Sequence, residues 1–180
     1  MTRPKRIIIH WTAGGLKANT TDLNHYHVIF EGDGTIRNGR HSVASNCPVV
    51  KGRPYAMHCG GGNSWSAGYS LCGGPRGYRL GEITRLSYER MCLRIAQDIH
   101  KWGITLNENT VMTHYEFGLA NPRTSSAGKP DISSLPWAPD IPANEVGNHI
   151  RRSINWYLRN HVLKKIVKEK SPVPDNGTQD

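Results

Sequence analysis

The sequence is short of the residues that would place it in several large classes of protein. Its 180 residues include two phenylalanines and four cysteines, and no two cysteines form a C-x-x-C pair. That excludes a zinc knuckle and a thioredoxin-like redox motif. Cys47, Cys59, Cys72 and Cys92 are expected to be free thiols. Cys72 and Cys92 sit in apolar stretches that read as core, and Cys59, beside a glycine run, is the one expected near a site. No apolar run approaches the roughly 18 residues that span a bilayer. The basic opening MTRPKRIIIHW has too short an apolar stretch for a secretory signal. Synthesis and accumulation in the cytoplasm are therefore expected. Acidic residues are scarce as well, 14 against 23 Lys and Arg, for a net charge of +9. Such a balance favours polyanionic partners.

What is present fits one domain with a sizeable core. Arg6 to Trp11 (RIIIHW) reads as a buried strand. Asn24 to Phe30 alternates, Asp33-Gly34 is a hairpin turn signal, and Thr35 to Arg40 is the return strand. Residues 41–66 read as a long loop, of the kind that often carries function. Tyr69 to Cys72 is a short strand closed by Gly73-Gly74-Pro75. Ser87 is placed to cap a helix in which Met91, Cys92, Ile95, Ala96, Ile99 and Trp102 recur at helical spacing, with Gly103 ending it. Asn109 to His114 is a further strand, and Phe117 to Ile141 reads as loop.

A last helix is predicted from Asn144 to Lys168, with Ile150, Ile154, Tyr157, Leu158, Val162 and Ile166 as its apolar stripe. Arg151, Arg152, Arg159, Lys164 and Lys168 fall on the other face. They read either as a solvated face or as a surface for anionic envelope material. No recognised nucleic-acid motif or aromatic stacking array accompanies them, so a nucleic-acid partner is not expected. The domain is read as residues 1–169, with a polar, Pro-containing disordered tail over 170–180.

Two apolar strands end at histidines, His10 and His114, and the stretch GKPD supplies Lys129 and Asp131. Two imidazoles and one carboxylate make a catalytic zinc shell with a fourth position left for water. Such a metal acidifies its water, and a nearby lysine stabilises an oxyanion. Spacing alone leaves a second reading open, in which the histidines are strand-end residues satisfied by backbone hydrogen bonds.

Five stretches in order carry a family resemblance: IIIHWTAG, YHVIFEGDGTIRNGR, MHCGGGNSWSAGYSLCGG, VMTHYE and GKPD. From about Arg6 to Trp137 the sequence resembles the zinc-dependent N-acetylmuramoyl-L-alanine amidases of the type-2 amidase and peptidoglycan-recognition-protein superfamily. It is most similar there to the short phage endolysins. The resemblance implies a single α/β domain with a central mixed β-sheet flanked by helices. It implies one zinc ion on His10, His114 and Asp131, with Lys129 and Tyr26 as catalytic residues. His58 and Asn63 would line the substrate groove. Ser70 stands where many bacterial members carry a catalytic glutamate, so the catalytic burden falls on Tyr26 as in the phage members. The loop before Lys129 is longer than in the small phage enzymes, and Asp140 is the alternative third ligand.

The implied function is that of a phage or prophage endolysin. It would cut the amide between N-acetylmuramic acid and L-alanine in peptidoglycan and so lyse the host. Such an enzyme would wait in the host cytoplasm as a monomer and reach the wall through a holin. The alternatives are a cytoplasmic amidase that recycles muropeptides and a non-catalytic peptidoglycan-binding protein.

Overall fold

The computed structural model describes residues 2–165. Five strands form one sheet: β1 (Arg6–Trp11), β2 (Val28–Phe30), β3 (Ile36–Asn38), β4 (Ser66–Leu71) and β5 (Val111–Thr113). Their order is β3-β2-β4-β1-β5. β1 lies parallel to both β4 and β5, and β2 lies parallel to β4. Only the β2–β3 hairpin pairs antiparallel. The sheet is therefore mixed, with β1 enclosed between parallel neighbours, which is why its apolar run is nearly unbroken.

Alternation along β1 divides the molecule into two faces. Ile7, Ile9 and Trp11 join the main core with Ala67, Tyr69 and Leu71 of β4. Helices α2 (Arg85–Trp102) and α4 (Ala143–Tyr157) cover that face through Met91, Ile95, Ile99, Val146, Ile150 and Ile154. Ile8 points the other way into a small cluster with Cys59, Met112 and Phe117. His10 follows Ile8 on that second face, which α3 (His114–Ala120) covers only partly.

Several boundaries differ from the sequence reading. Residues 20–25 form a short helix, α1 (Thr20–His25), which takes in Asn24 and His25, the first two residues of the expected strand. A capping box decides this: Asn19 accepts from the Asp22 amide and Asp22 accepts from the Asn19 amide. The same device at Thr113 and Glu116 starts α3 at His114, so β5 stops one residue before the histidine and α3 occupies the start of the expected loop. Thr84, not Ser87, caps α2: its Oγ1 accepts from the Ser87 amide. Gly103 ends that helix in the left-handed region, at φ 64°.

The last helix is regular from Ala143 to Tyr157 and widens into a π-helical stretch over Leu158–Leu163. Ile166, Lys168 and the expected tail lie outside the described residues. Arg151 does not belong to a solvated face. It is buried, and its guanidinium donates to both oxygens of Glu116, to the Val111 carbonyl and to Asn148. Gly147 makes room for that carboxylate, because a Cβ there would lie 2.0 Å from Glu116 Oε1. Among the described residues no helix is long and apolar enough to cross a membrane.

Candidate metal centre

The site forms at the C-terminal ends of the parallel strands, where open α/β sheets place their ligands. β1 delivers His10 to this edge, directly opposite Ser70 of β4. The chain then turns sharply at Ala13, which holds φ 51°, so the strand ends and the site stays open. β5 delivers His114 as the first residue of α3. Asp131 comes from the following loop, which is tied back by a hydrogen bond from the Tyr115 amide to the Asp131 carbonyl.

These three side chains converge. His10 Nδ1 lies 3.1 Å from His114 Nδ1, and each of these nitrogens lies 3.0 Å from Asp131 Oδ2. All three residues are buried, and their ligand atoms form the one His/Cys/Asp/Glu cluster among the described residues able to hold a metal ion. An ion about 2.1 Å from each of three tetrahedral N/O ligands would set those atoms about 3.4 Å apart. The observed triangle is a few tenths of an ångström tighter, so the donor set fits zinc in both type and spacing. Asp140 is exposed and stands outside the cluster.

Charge supports this placement. Burial opposes ionisation of Asp131, yet hydrogen bonds from His10 and His114 hold it well below the usual carboxylate range. Burial lowers His10 and works to lower His114 too. For His114 the hydrogen bonds to Asp131 and Cys59 prevail and push it up to about 9. Burial, reinforced by the neighbouring histidines His10, His27 and His114, drives His58 well below the ordinary imidazole value.

Above the triangle lies a cleft of about 470 Å³ lined by residues that include Tyr26, His58, Lys129 and Asp131. The Tyr26 ring sits 5.2 Å from the His10 ring. Burial, then the charges of Asp131 and Asp22, raise its phenol above the ordinary value, so it keeps its proton. Ser70 is near enough to temper that rise, yet its buried Oγ makes no hydrogen bond of ordinary geometry. Lys129 is exposed at the rim, and its side chain makes no hydrogen bond or ion pair among the described residues.

Not every residue expected at the groove reaches it. His58 lines the cleft but is buried, held between His10 and Ser66. Asn63 is not among the lining residues; its Oδ1 accepts from the Cys59 amide and so closes the glycine loop. Cys59 does approach the site, 3.4 Å from Ser126 Oγ, and all four cysteines are free and buried. Ser126 went unread in the sequence. It lies 2.9 Å from His114 Nε2, and no local pattern in a serine-rich loop marks which serine will face a histidine.

Fold and site together define an α/β domain whose parallel strands present a buried cluster of two histidines and one carboxylate to an open cleft. The profile of the N-acetylmuramoyl-L-alanine amidase family, Amidase_2, matches residues 1–129, and the chain belongs to that family. The match takes in His10, Tyr26, His58, His114 and Lys129 and stops two residues before Asp131.

None of the curated proteins matches the sequence at a significant level. Among solved structures, the ectodomain complex of peptidoglycan recognition proteins LCa and LCx bound to tracheal cytotoxin is similar at 15% identity. That likeness covers 75% of this chain and 80% of that one, with a TM-score of 0.46. PlyL is similar at 18% identity, over 67% and 79% of the two chains, with a TM-score of 0.44. Drosophila peptidoglycan recognition protein SD is similar at 15% identity, over 69% and 76%, with a TM-score of 0.42.

Proposed function

We propose that the protein is a zinc-dependent N-acetylmuramoyl-L-alanine amidase that acts as a phage or prophage endolysin. The observation that carries the chemistry is the triangle of His10 Nδ1, His114 Nδ1 and Asp131 Oδ2, 3.0–3.1 Å on a side, beneath a cleft shared by Tyr26 and Lys129. These three residues would hold the ion. When bound, zinc supplies Lewis acidity and a water acidified towards neutrality.

The chain's own residues do the rest. The buried Asp131 stays ionised, which keeps a negative charge in the shell. Lys129 reaches in from the rim to stabilise the oxyanion that forms when the lactyl carbonyl is attacked. Tyr26 keeps its proton because its phenol is raised, so its role is to orient the attacking water and donate to the leaving amine of L-alanine. Ala13, Gly14 and Gly15 after β1 leave the approach open to a bulky glycan-peptide.

The endolysin role draws support from Ser70. It stands across from His10 with a hydroxyl where a recycling enzyme of this family would carry a carboxylate base. Among the described residues, Tyr26 is the phenol whose ring packs, tilted at 42°, against that of His10. The exposed Arg152, Arg159 and Lys164 would help hold the enzyme at an anionic envelope.

Mass spectrometry of fragments released from purified sacculi tests the reading. A free lactyl carboxylate together with a new L-alanine amino terminus is expected. New reducing sugar ends would overturn it. Cleavage of soluble anhydro-muropeptides with sacculi untouched would move the enzyme to recycling, and binding without release would make it a peptidoglycan-binding protein.

A further inference from the structure

The nitrogens of His10 and His114 that face away from the centre end in two hydrogen-bonded chains. His10 Nε2 lies 3.1 Å from His58 Nδ1, and His58 Nε2 lies 3.2 Å from Ser66 Oγ. Ser66 Oγ in turn donates to the Gly62 carbonyl, with the Asn63 carbonyl 3.2 Å away. On the other side His114 Nε2 lies 2.9 Å from Ser126 Oγ, which donates to the Gly60 carbonyl at 2.8 Å.

The direction of both chains follows from their ends. A carbonyl only accepts, and a serine hydroxyl has one proton to give. Ser66 gives its proton to a carbonyl, so it must accept from His58 Nε2–H. His58 Nδ1 is then bare and must accept from His10 Nε2–H. By the same reasoning Ser126, committed to the Gly60 carbonyl, accepts from His114 Nε2–H. Each histidine thus has Nε2 occupied by a proton, and Nδ1 is the nitrogen left for a metal.

We propose that the loop Gly60–Gly62 sets the tautomers of both histidine ligands, through Ser66 and His58 on one side and Ser126 on the other. These three are positioning residues for the metal centre, and the proposal rests on the metal reading given above. The loop is built for close contact. A Cβ on Gly60 would lie 1.8 Å from Ser125 Oγ, one on Gly61 2.5 Å from Thr124 Cγ2, and one on Gly62 2.7 Å from the Phe117 ring and from Cys59 Sγ. Gly60 and Gly61 let the backbone lie against the 124–126 segment, and Gly62 lets it pass Phe117 and Cys59, so that the loop's carbonyls reach both Ser66 and Ser126. His58 is likewise seated on Gly68, where a Cβ would fall 2.3 Å from its ring.

The proposal makes a statement about protons that activity does not report. In the zinc-loaded full-length protein, long-range proton–nitrogen NMR on histidine-labelled material should show Nε2 protonated in His10, His58 and His114. A bare Nε2 on any of the three overturns the proposal, and this reading needs no variant to fold. Zinc affinity, by competition with a chromophoric chelator, should fall about 10- to 100-fold in Ser126→Ala and in Ser66→Ala. Ser126→Thr, which keeps the hydroxyl, should recover most of the loss. Alanine variants that fold and bind zinc as tightly as the wild type overturn this proposal alone. A wild type that binds no zinc overturns the metal-centre reading with it.

Discussion

Arg151 of α4 grips Glu116 of α3 with two parallel hydrogen bonds, Nη2 to Oε1 at 2.7 Å and Nη1 to Oε2 at 3.0 Å. The same carboxylate accepts from the Thr113 amide and so completes the cap that begins α3. His114 is the first residue of that helix. A largely buried ion pair beside β5 therefore sets the position of a candidate metal ligand. Replacing Arg151 by Met would leave a buried carboxylate without its partner. Urea unfolding should show a loss of about 3 kcal/mol, and zinc affinity should fall with it. Arg151→Met combined with Glu116→Gln should lose less than the two single changes added together.

The glycine under His58 gives a sharper local test. In Gly68→Ala the new Cβ would fall 2.3 Å from the His58 ring, and β4 is too central to move away. His58 should be displaced and its hydrogen bond to His10 broken. Weaker zinc binding, by chelator competition, should accompany a stability loss of about 1–3 kcal/mol from overpacking.

Lys129 and His10 should separate catalysis from metal binding. Lys129→Ala removes an exposed rim residue outside the ligand triangle, so zinc content should be unchanged while turnover of sacculi falls about 100-fold or more. His10→Ala should lose both. Near-normal turnover in the lysine variant would dismiss its oxyanion role. Tyr26→Phe should keep zinc and lower kcat with little change in KM; unchanged kinetics would reduce the phenol to a packing residue.

His27 sets an acid limit on stability. Its Nδ1 accepts from the Gly68 amide and its Nε2 faces Asn46 Oδ1, so it is held neutral in both directions. Burial is the main cause of its low pKa, about 4 in the fold against 6.5 unfolded. A base depressed by folding takes up its proton more readily when unfolded. Its share of stability is therefore whole above pH 6.5 and lost as the pH falls towards 4, by about 3 kcal/mol. Urea melts of the metal-free protein from pH 7 to 4 should show the decline. His27→Gln, less stable at pH 7, should show a shallower slope.

The free part of the last helix is smaller than its sequence suggests. Arg152, Arg159 and Lys164 are exposed, whereas Arg151 is not. Changing those three to Gln should weaken sedimentation with cell envelopes at low salt and flatten its salt dependence. Turnover of soluble muropeptides should be unaffected. Unchanged sedimentation would leave the charges as a solvated surface.

Much of this was legible locally. The run IIIH announced a buried strand carrying an imidazole near its end, and the 3.6-residue spacing of Met91, Cys92, Ile95 and Ile99 announced α2. Both are patterns of neighbouring residues, and hydrophobic period reports them directly. The two capping boxes, Asn19 with Asp22 and Thr113 with Glu116, were equally local. They mark α1 and α3 inside stretches whose β-branched and aromatic residues read as strand or loop.

By itself the sequence determined which residues have the chemistry: two histidines at strand ends, an aspartate and lysine one residue apart, a phenol in a stretch that read as strand. Only the tertiary structure decided what they meet. His10 and Asp131 are 121 positions apart, and nothing in its serine-rich loop marks Ser126 as the residue that meets His114. Arg151 looked like surface charge until α3 supplied Glu116. Periodicity fixes the face on which a side chain lies. The crossing of β1, β5 and the 124–131 loop fixes what stands opposite it, and hydrogen bonds across that gap decide which nitrogen of each histidine is free to bind.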